Sequence, residues 1–306
     1  MQKETEQKTK QQRVLTTNDL LFKKIFASPQ NSHILTGFIN DILELGATDV
    51  SIENTYNIDT FYRINEDPEI KYTQVDVLAR LADGSQVTIE MQVVPHRLFR
   101  KRAFFYAADI YIANYDNRSL LDKKRQHSKS EKKYSTLRPV YSICIMAENE
   151  FLEDDNPIHE FRMYDVRNEI FYINEPGQDV IRMTFLEIKK SSTEMKKNIK
   201  AWFDYFNTGN VTKDAPTYIQ EACALASYKN LSSEEVNMIS EIQKSIDLTQ
   251  AREDYVWDSG KAEGKAEGKA EGKAELVKRL ITKGKSLAEI SKFFDMDEDT
   301  IKAMIK

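Results

Sequence analysis

Apolar and polar residues alternate most clearly over residues 72–80 and 86–94, two runs separated by Asp83-Gly84. An Asp-Gly pair between such runs predicts a β-hairpin. Side chains alternate across a strand, so Glu90 and Gln92 share one face of the second strand, while Val87, Ile89, Met91 and Val93 take the other. Residues 139–146 form a continuous apolar run that reads as a buried strand, and 169–173 and 181–188 are strand-like. A helical period over residues 97–115 gathers Phe99, Ala103, Tyr106 and Ile110 into one stripe and leaves Arg97, Arg100 and Lys101 outside it. After Ser191 the pattern is helical, with apolar stripes around Trp202, Phe203 and Phe206, then over 218–228 and 236–246.

From Lys261 the sequence repeats Lys-Ala-Glu-Gly in four-residue units as far as Glu275. Residues four apart in this tract carry the same charge, and each helical glycine costs about 0.8 to 1 kcal/mol relative to alanine. A helix here is marginal in isolation. Two readings stand: a flexible tether, or a helix that self-associates by bringing its Lys stripe beside the Glu stripe of a second helix. The last residues predict two short helices, 286–294 and 298–305, opened by a Ser286/Glu289 capping box. Their apolar positions, Leu287, Ile290, Phe293, Phe294, Ile301 and Ile305, resemble a helix-turn-helix fragment without a basic recognition helix, which favours packing or multimer formation over base reading. The expected organisation is a disordered tail over 1–15, a core over 16–190, a helical support region over 191–258, a linker over 259–275 and a helical module over 276–306.

The 306-residue chain, 41% hydrophobic, is long enough to bury a substantial core. Its two cysteines, Cys144 and Cys223, lie in apolar contexts without metal-ligand spacing and read as buried packing residues of a reducing compartment. Residues 1–13 lack a signal-peptide hydrophobic region, and no run approaches eighteen apolar residues. A cytoplasmic protein without a membrane partner is expected. Net charge is −5, yet residues 97–138 hold twelve Lys or Arg against four acids. That basic block, with Arg97, Arg100, Lys101, Arg102, Lys123, Lys124 and Arg125, can provide salt-dependent, largely sequence-independent contact with DNA. For the part over 122–138, a solvated loop is the competing reading. His33, His96, His127 and His159 show no zinc or nucleophile-base spacing.

The hairpin can bring Asp76, Glu90 and Gln92 together, an oxygen-rich set suited to a hard cation such as Mg2+. Such an ion polarises a phosphodiester and makes a water more acidic. Solvated strand carboxylates are the competing reading. Three stretches, 18–26 with its Asp-x-x-Phe-Lys helix, 75–79 around Asp76, and 89–92 around Glu90 and Gln92, resemble the PD-(D/E)XK nuclease superfamily and, within it, the recombination-promoting nuclease and transposase family. Arg102 with Tyr106 is a weaker fourth match. The similarity covers residues 16–145 in the expected order.

This resemblance implies an α/β, restriction-endonuclease-like mixed sheet flanked by helices, with an α-helical C-terminal extension. It implies an Mg2+-dependent endodeoxyribonuclease, with Mn2+ as an alternative ion, linked to recombination, mobile-element movement or defence. Asp76 and Glu90 bind the metal, and Gln92 stands where most of the superfamily has lysine. Glutamine is neutral and cannot supply the lysine's charge, so a DNA-binding or oligomeric adaptor on an inactive nuclease fold is the alternative. Asp19 is either an auxiliary acid of the site or the local i, i+4 partner of Lys23. The C-terminal helices are the expected route to any homo-oligomer.

Overall fold

The computed structural model describes residues 16–53, 76–93, 98–114, 134, 137–149, 151, 154–175 and 178–304. The expected tail over 1–15 and the hairpin's first residues, 72–75, lie outside them. The chain divides into two compact units, Met1–Gln243 and Lys244–Lys306.

The first unit opens with α1 (Asp19–Phe26), whose N-cap Asn18 accepts a hydrogen bond from the Leu20 amide. Leu20, Leu21, Phe22, Ile25 and Phe26 are all buried, so the helix is fixed on nearly every side except the edge carrying Asp19 and Lys23. Next comes α2 (Ser32–Leu43), followed by β1 (Val50–Ile52), β2 (Val77–Leu81) and β3 (Gln86–Gln92). The Asp83-Gly84 turn joins β2 to β3, with Gly84 at φ +88 and the Asp83 carboxylate accepting from the Ser85 amide. Helix α3 (Phe99–Ala113) then precedes β4 (Val140–Met146), β5 (Ile158–Arg162), the short β6 (Tyr164–Asp165), β7 (Ile170–Phe171), β8 (Ile173–Glu175) and β9 (Gln178–Asp179), and β10 (Ile181–Glu187). Helices α4 (Lys197–Thr208) and α5 (Thr217–Leu225) complete the sheet's cover.

Six strands form one mixed sheet in the order β1-β2-β3-β4-β10-β5. The β3–β4 and β4–β10 pairs are parallel, and the β1–β2, β2–β3 and β10–β5 pairs are antiparallel. This is an α/β mixed sheet flanked by helices, consistent with a restriction-endonuclease-like fold. Central β4 is buried along its whole length, as its unbroken apolar run requires. On one face Val87, Ile89, Tyr141 and Ile143 meet Phe26, Phe38, Trp202 and Phe206 of the helices. On the other face Cys144, Met146, Met183 and Phe185 meet Phe99 and Ala103 of α3. The residues expected as one strand over 169–173 are divided: Glu169, at φ 56, closes the turn from β6 into β7, and the remainder falls in β7 and β8, outside the main sheet.

Trp202 packs edge-on to Phe38, with ring centroids 5.0 Å apart, and donates Nε1–H to Asp41. Asp41 also accepts from Tyr218 and Asn198, at 2.8 and 2.9 Å, tying α2 to α4 and α5. Cys144 is buried as expected; Cys223 is only partly buried, its thiol donating to the Gly209 carbonyl.

Helix α6 (Ser233–Thr282) begins in the first unit, where Met238 and Ile239 pack on Leu20 and Leu21. It runs unbroken through the Lys-Ala-Glu-Gly tract, where a flexible tether is the default expectation from sequence. Helical residues on both sides of the tract already bear the cost of nucleation, leaving only propagation through the glycines. In the second unit, α7 (Leu287–Phe294) has the expected capping box. With α8 (Glu298–Met304) it packs on the end of α6, where Val277, Ile290 and Ile301 are buried. Phe294 joins this cluster, whereas Phe293, expected at an apolar position, is 72% exposed.

Candidate active site

Val77 of β2 pairs with Ile89 of β3, so Asp76 and Glu90 come next to each other across the antiparallel pair, and opposed residues project from the same face. The face expected for Glu90 is the one turned toward α3. Glu90 is 6% exposed, and among the described residues its carboxylate accepts no hydrogen bond and forms no ion pair. Burial, followed by the charge of Asp76, pushes its pKa up to about 7, against the opposing pull of Arg102.

Asp76 Oδ2 accepts from the Met91 amide at 2.8 Å, which fixes the carboxylate at the mouth of the hairpin. Its Oδ1 lies 3.5 Å from Lys23 Nζ. Burial and then Asp19 raise its pKa to about 6, while Lys23 and the Met91 N–H act the other way. Asp19 Oδ1 stands 3.2 Å from the same Lys23 ammonium. Asp19 is thus the i, i+4 partner of Lys23, and its charge also acts on Asp76. Burial opposes the charge on Lys23, but Asp19 and Asp76 outweigh it and hold its pKa above the ordinary value.

Gln92, two residues beyond Glu90, accepts from Arg102 Nη2 of α3 at 2.5 Å. The Arg102 Nε is buried without a hydrogen-bond partner. Tyr106, one turn along α3, is half-exposed rather than part of the helix's core stripe, which consists of Phe99, Ala103 and Ala107. Burial raises its phenol pKa, with Glu90 and Asp76 adding to the rise and Arg102 opposing it. Thus β2 and β3 present two carboxylates, α1 brings Lys23 and Asp19 from one side, and α3 brings Arg102 and Tyr106 from another.

Sequence reasoning treated Lys23 only as a partner for Asp19. Its approach to Asp76 needs β2 and α1 side by side, and no local spacing shows that. Of the other basic residues, Arg100 and Lys101 are exposed on α3, with the Arg100 guanidinium 4.2 Å over the Phe151 ring. Arg97, Lys123, Lys124 and Arg125 lie outside the described residues, as do His96 and His127. His159 does structural work, stacking on Phe151 and meeting the fully buried Glu187 at 3.1 Å.

Among the described residues, no cluster of three or more His, Cys, Asp or Glu side chains is placed to hold a metal. Magnesium does not require one, since one or two carboxylates commonly bind it with waters and phosphate oxygens completing its shell. The oxygen-only donor set, with Glu90 buried and without a partner, fits such an ion. Among the described residues, no helix is long and apolar enough to cross a membrane.

No curated protein and no solved structure matches the chain. The family model of the PD-(D/E)XK nuclease family transposase matches residues 16–264, which include both carboxylates, Lys23 and the whole six-stranded sheet. With most of its length matched and the family's kind of sheet in place, this chain belongs to the PD-(D/E)XK nuclease family transposases.

Proposed function

We propose that this chain is a metal-dependent DNA endonuclease that hydrolyses phosphodiester bonds during recombination or transposition in the cytoplasm. The observation that supports it most is the buried Glu90 carboxylate beside Asp76, which among the described residues accepts no hydrogen bond and forms no ion pair. Superfamily nucleases generally use divalent ions, and Mg2+, or Mn2+ in its place, would supply Lewis-acid polarisation of the scissile phosphate and a more acidic water. Asp76 and Glu90 offer the oxygens for that ion. Gln92, whose carbonyl accepts from Arg102 and is thereby held in one orientation, would position water or the metal. The lysine that Gln92 replaces has a substitute in charge, though not in sequence position: Lys23 brings an ammonium to Asp76 from α1. Asp19 keeps that ammonium charged and in place. The exposed Arg100 and Lys101, with the partly buried Arg102 behind them, would meet a polyanion with positive charge, a role proposed also for Arg97, Lys123, Lys124 and Arg125.

Plasmid cleavage by purified protein with Mg2+, with chelator, and with Glu90→Ala tests the reading. Metal-dependent nicking or linearisation is expected, with a loss of at least about 10³-fold in Glu90→Ala. DNA binding without metal-dependent cutting would overturn it in favour of an adaptor on an inactive nuclease fold, the reading that Gln92 in place of lysine favours.

A further inference from the structure

We propose that α6 pairs in parallel with α6 of a second copy of this chain, along the winding row that runs from Val256 through Gly260, Gly264, Gly268 and Gly272. Burial in the C-terminal unit is confined, among the described residues, to Val277, Ile290 and Ile301. Upstream, Leu248, Tyr255, Val256 and Trp257 are 72%, 74%, 63% and 72% exposed, an apolar surface with no cover within the unit. Trp257 and Val256 line an open depression with Gly260 and Lys261. Single exposed apolar residues are ordinary; at 100° per residue Leu248 and Tyr255 share one side of the helix and Trp257 lies on the opposite side, so Val256 and Trp257 are the pair that borders the first glycine of the tract.

Four residues advance an α-helix by one turn plus about 40°, so positions four apart form a slowly winding row. Leu248, Val256, Gly260, Gly264, Gly268, Gly272 and Leu276 occupy one such row, with Arg252 between the first two. A Cβ built on any of these glycines meets nothing within 4 Å, so the row is an open furrow flanked by side chains. Rows of this inclination pack against each other at a crossing angle of about −50°.

Charge decides both the occupant and its direction. Gly264, Gly268 and Gly272 are each preceded by Glu and followed by Lys, about 100° to either side of the furrow. All these charged residues are exposed. From Glu263 to Glu271 the charged residues at the four-residue spacing within one helix are all of like sign, and glycine or alanine stands at the three-residue spacing, so a lone helix gathers repulsion along both flanks. A two-fold axis parallel to the helices sets the Lys flank of one chain against the Glu flank of the other, on both sides at once. Antiparallel pairing would set Lys against Lys and Glu against Glu. The surface is therefore complementary to itself in one direction. Both chains enter the pair from the same end, so each pair carries two nuclease units tethered on that side. If each unit hydrolyses as proposed above, one pair has a site for each strand of a duplex; the pairing itself does not depend on that activity.

The test uses the full chain and a flank-swapped variant carrying E263K, E267K and E271K with K265E, K269E and K273E, leaving Glu275 in its bond with Arg279. Native mass spectrometry of each protein and of their re-equilibrated mixture reads the pairing. Dimers of each alone are expected, with the mixed species at least about tenfold below its statistical share. A variant with only K265E, K269E and K273E should lose the dimer while keeping its helical circular dichroism. Monomeric wild type at tens of micromolar, free mixing, or a dimer that survives the single-sign variant would each overturn the proposal.

Discussion

Gly37 and Gly264 both lie inside helices, and their surroundings have nothing in common. A Cβ on Gly37 would fall 2.6 Å from the Tyr218 ring, whereas one on Gly264 would meet nothing within 4 Å. The first glycine exists because α2 and α5 approach too closely for a side chain, a constraint set by residues about 180 positions apart. The second has no such reason within its unit. Around the sheet, each position answers to many distant neighbours, and the fold explains the residue. Along α6 the repeat answers to nothing in its own unit, which sends the explanation to something outside the chain.

Substitutions can break or sharpen that contrast. Trp202→Ala removes the largest fully buried side chain, beside Phe38 and Asp41, and should cost about 3 to 5 kcal/mol in chemical denaturation. A loss under 1 kcal/mol would mean the aromatic cluster is not the centre of the nuclease unit.

Glu90→Gln should act in the opposite direction in chelator. The folded-state pKa of Glu90 is raised from 4.5 to about 7, so the folded protein holds a proton that the unfolded chain releases. Stability therefore falls as pH rises from about 4.5 to 7, with the full penalty above that range. At pH 8 the variant should exceed wild type by on the order of 2 kcal/mol, and the gap should close near pH 4. Mg2+ should raise the wild-type melting temperature at pH 8 and leave the variant nearly unchanged. Identical wild-type melting curves at pH 5 and pH 8 would contradict a buried, uncompensated carboxylate.

Gly37→Ala overpacks the contact with Tyr218 and should cost about 1 to 3 kcal/mol. The smallest effect is expected from Gly264→Ala with Gly268→Ala, each favouring the helix by about 0.8 to 1 kcal/mol through propensity. Helicity should rise in circular dichroism while the nuclease unit's denaturation is unmoved. In the paired state the added methyls would fill the furrow, so the dimer should weaken as the helix strengthens. A dimer that strengthens together with the helix would place the contact elsewhere.

Local chemistry carried much of this protein into view. The Asp83-Gly84 turn, the alternation through Ile89, Glu90 and Met91, and the Ser286/Glu289 box depend on neighbours a few residues away, and each could be read from the chain. The single strand expected over 169–173 failed because an apolar run does not reveal which partners its parts will take: Ile170 and Phe171 pair with β6, and Ile173 with β9. Tyr106 was assigned to the core stripe since periodicity marks a face but not what the neighbouring sheet places beneath it.

The sequence by itself determined the hairpin, the buried central strand, the carboxylates and the charge order of the repeat, all properties of residues within a few positions of each other. Only the tertiary structure decided that Lys23 reaches Asp76, that Arg102 donates to Gln92, and that Glu90 is buried beside Asp76. Those facts depend on α1, β2, β3 and α3 being packed together, and burial and electrostatic coupling arise from that packing rather than from any stretch of chain.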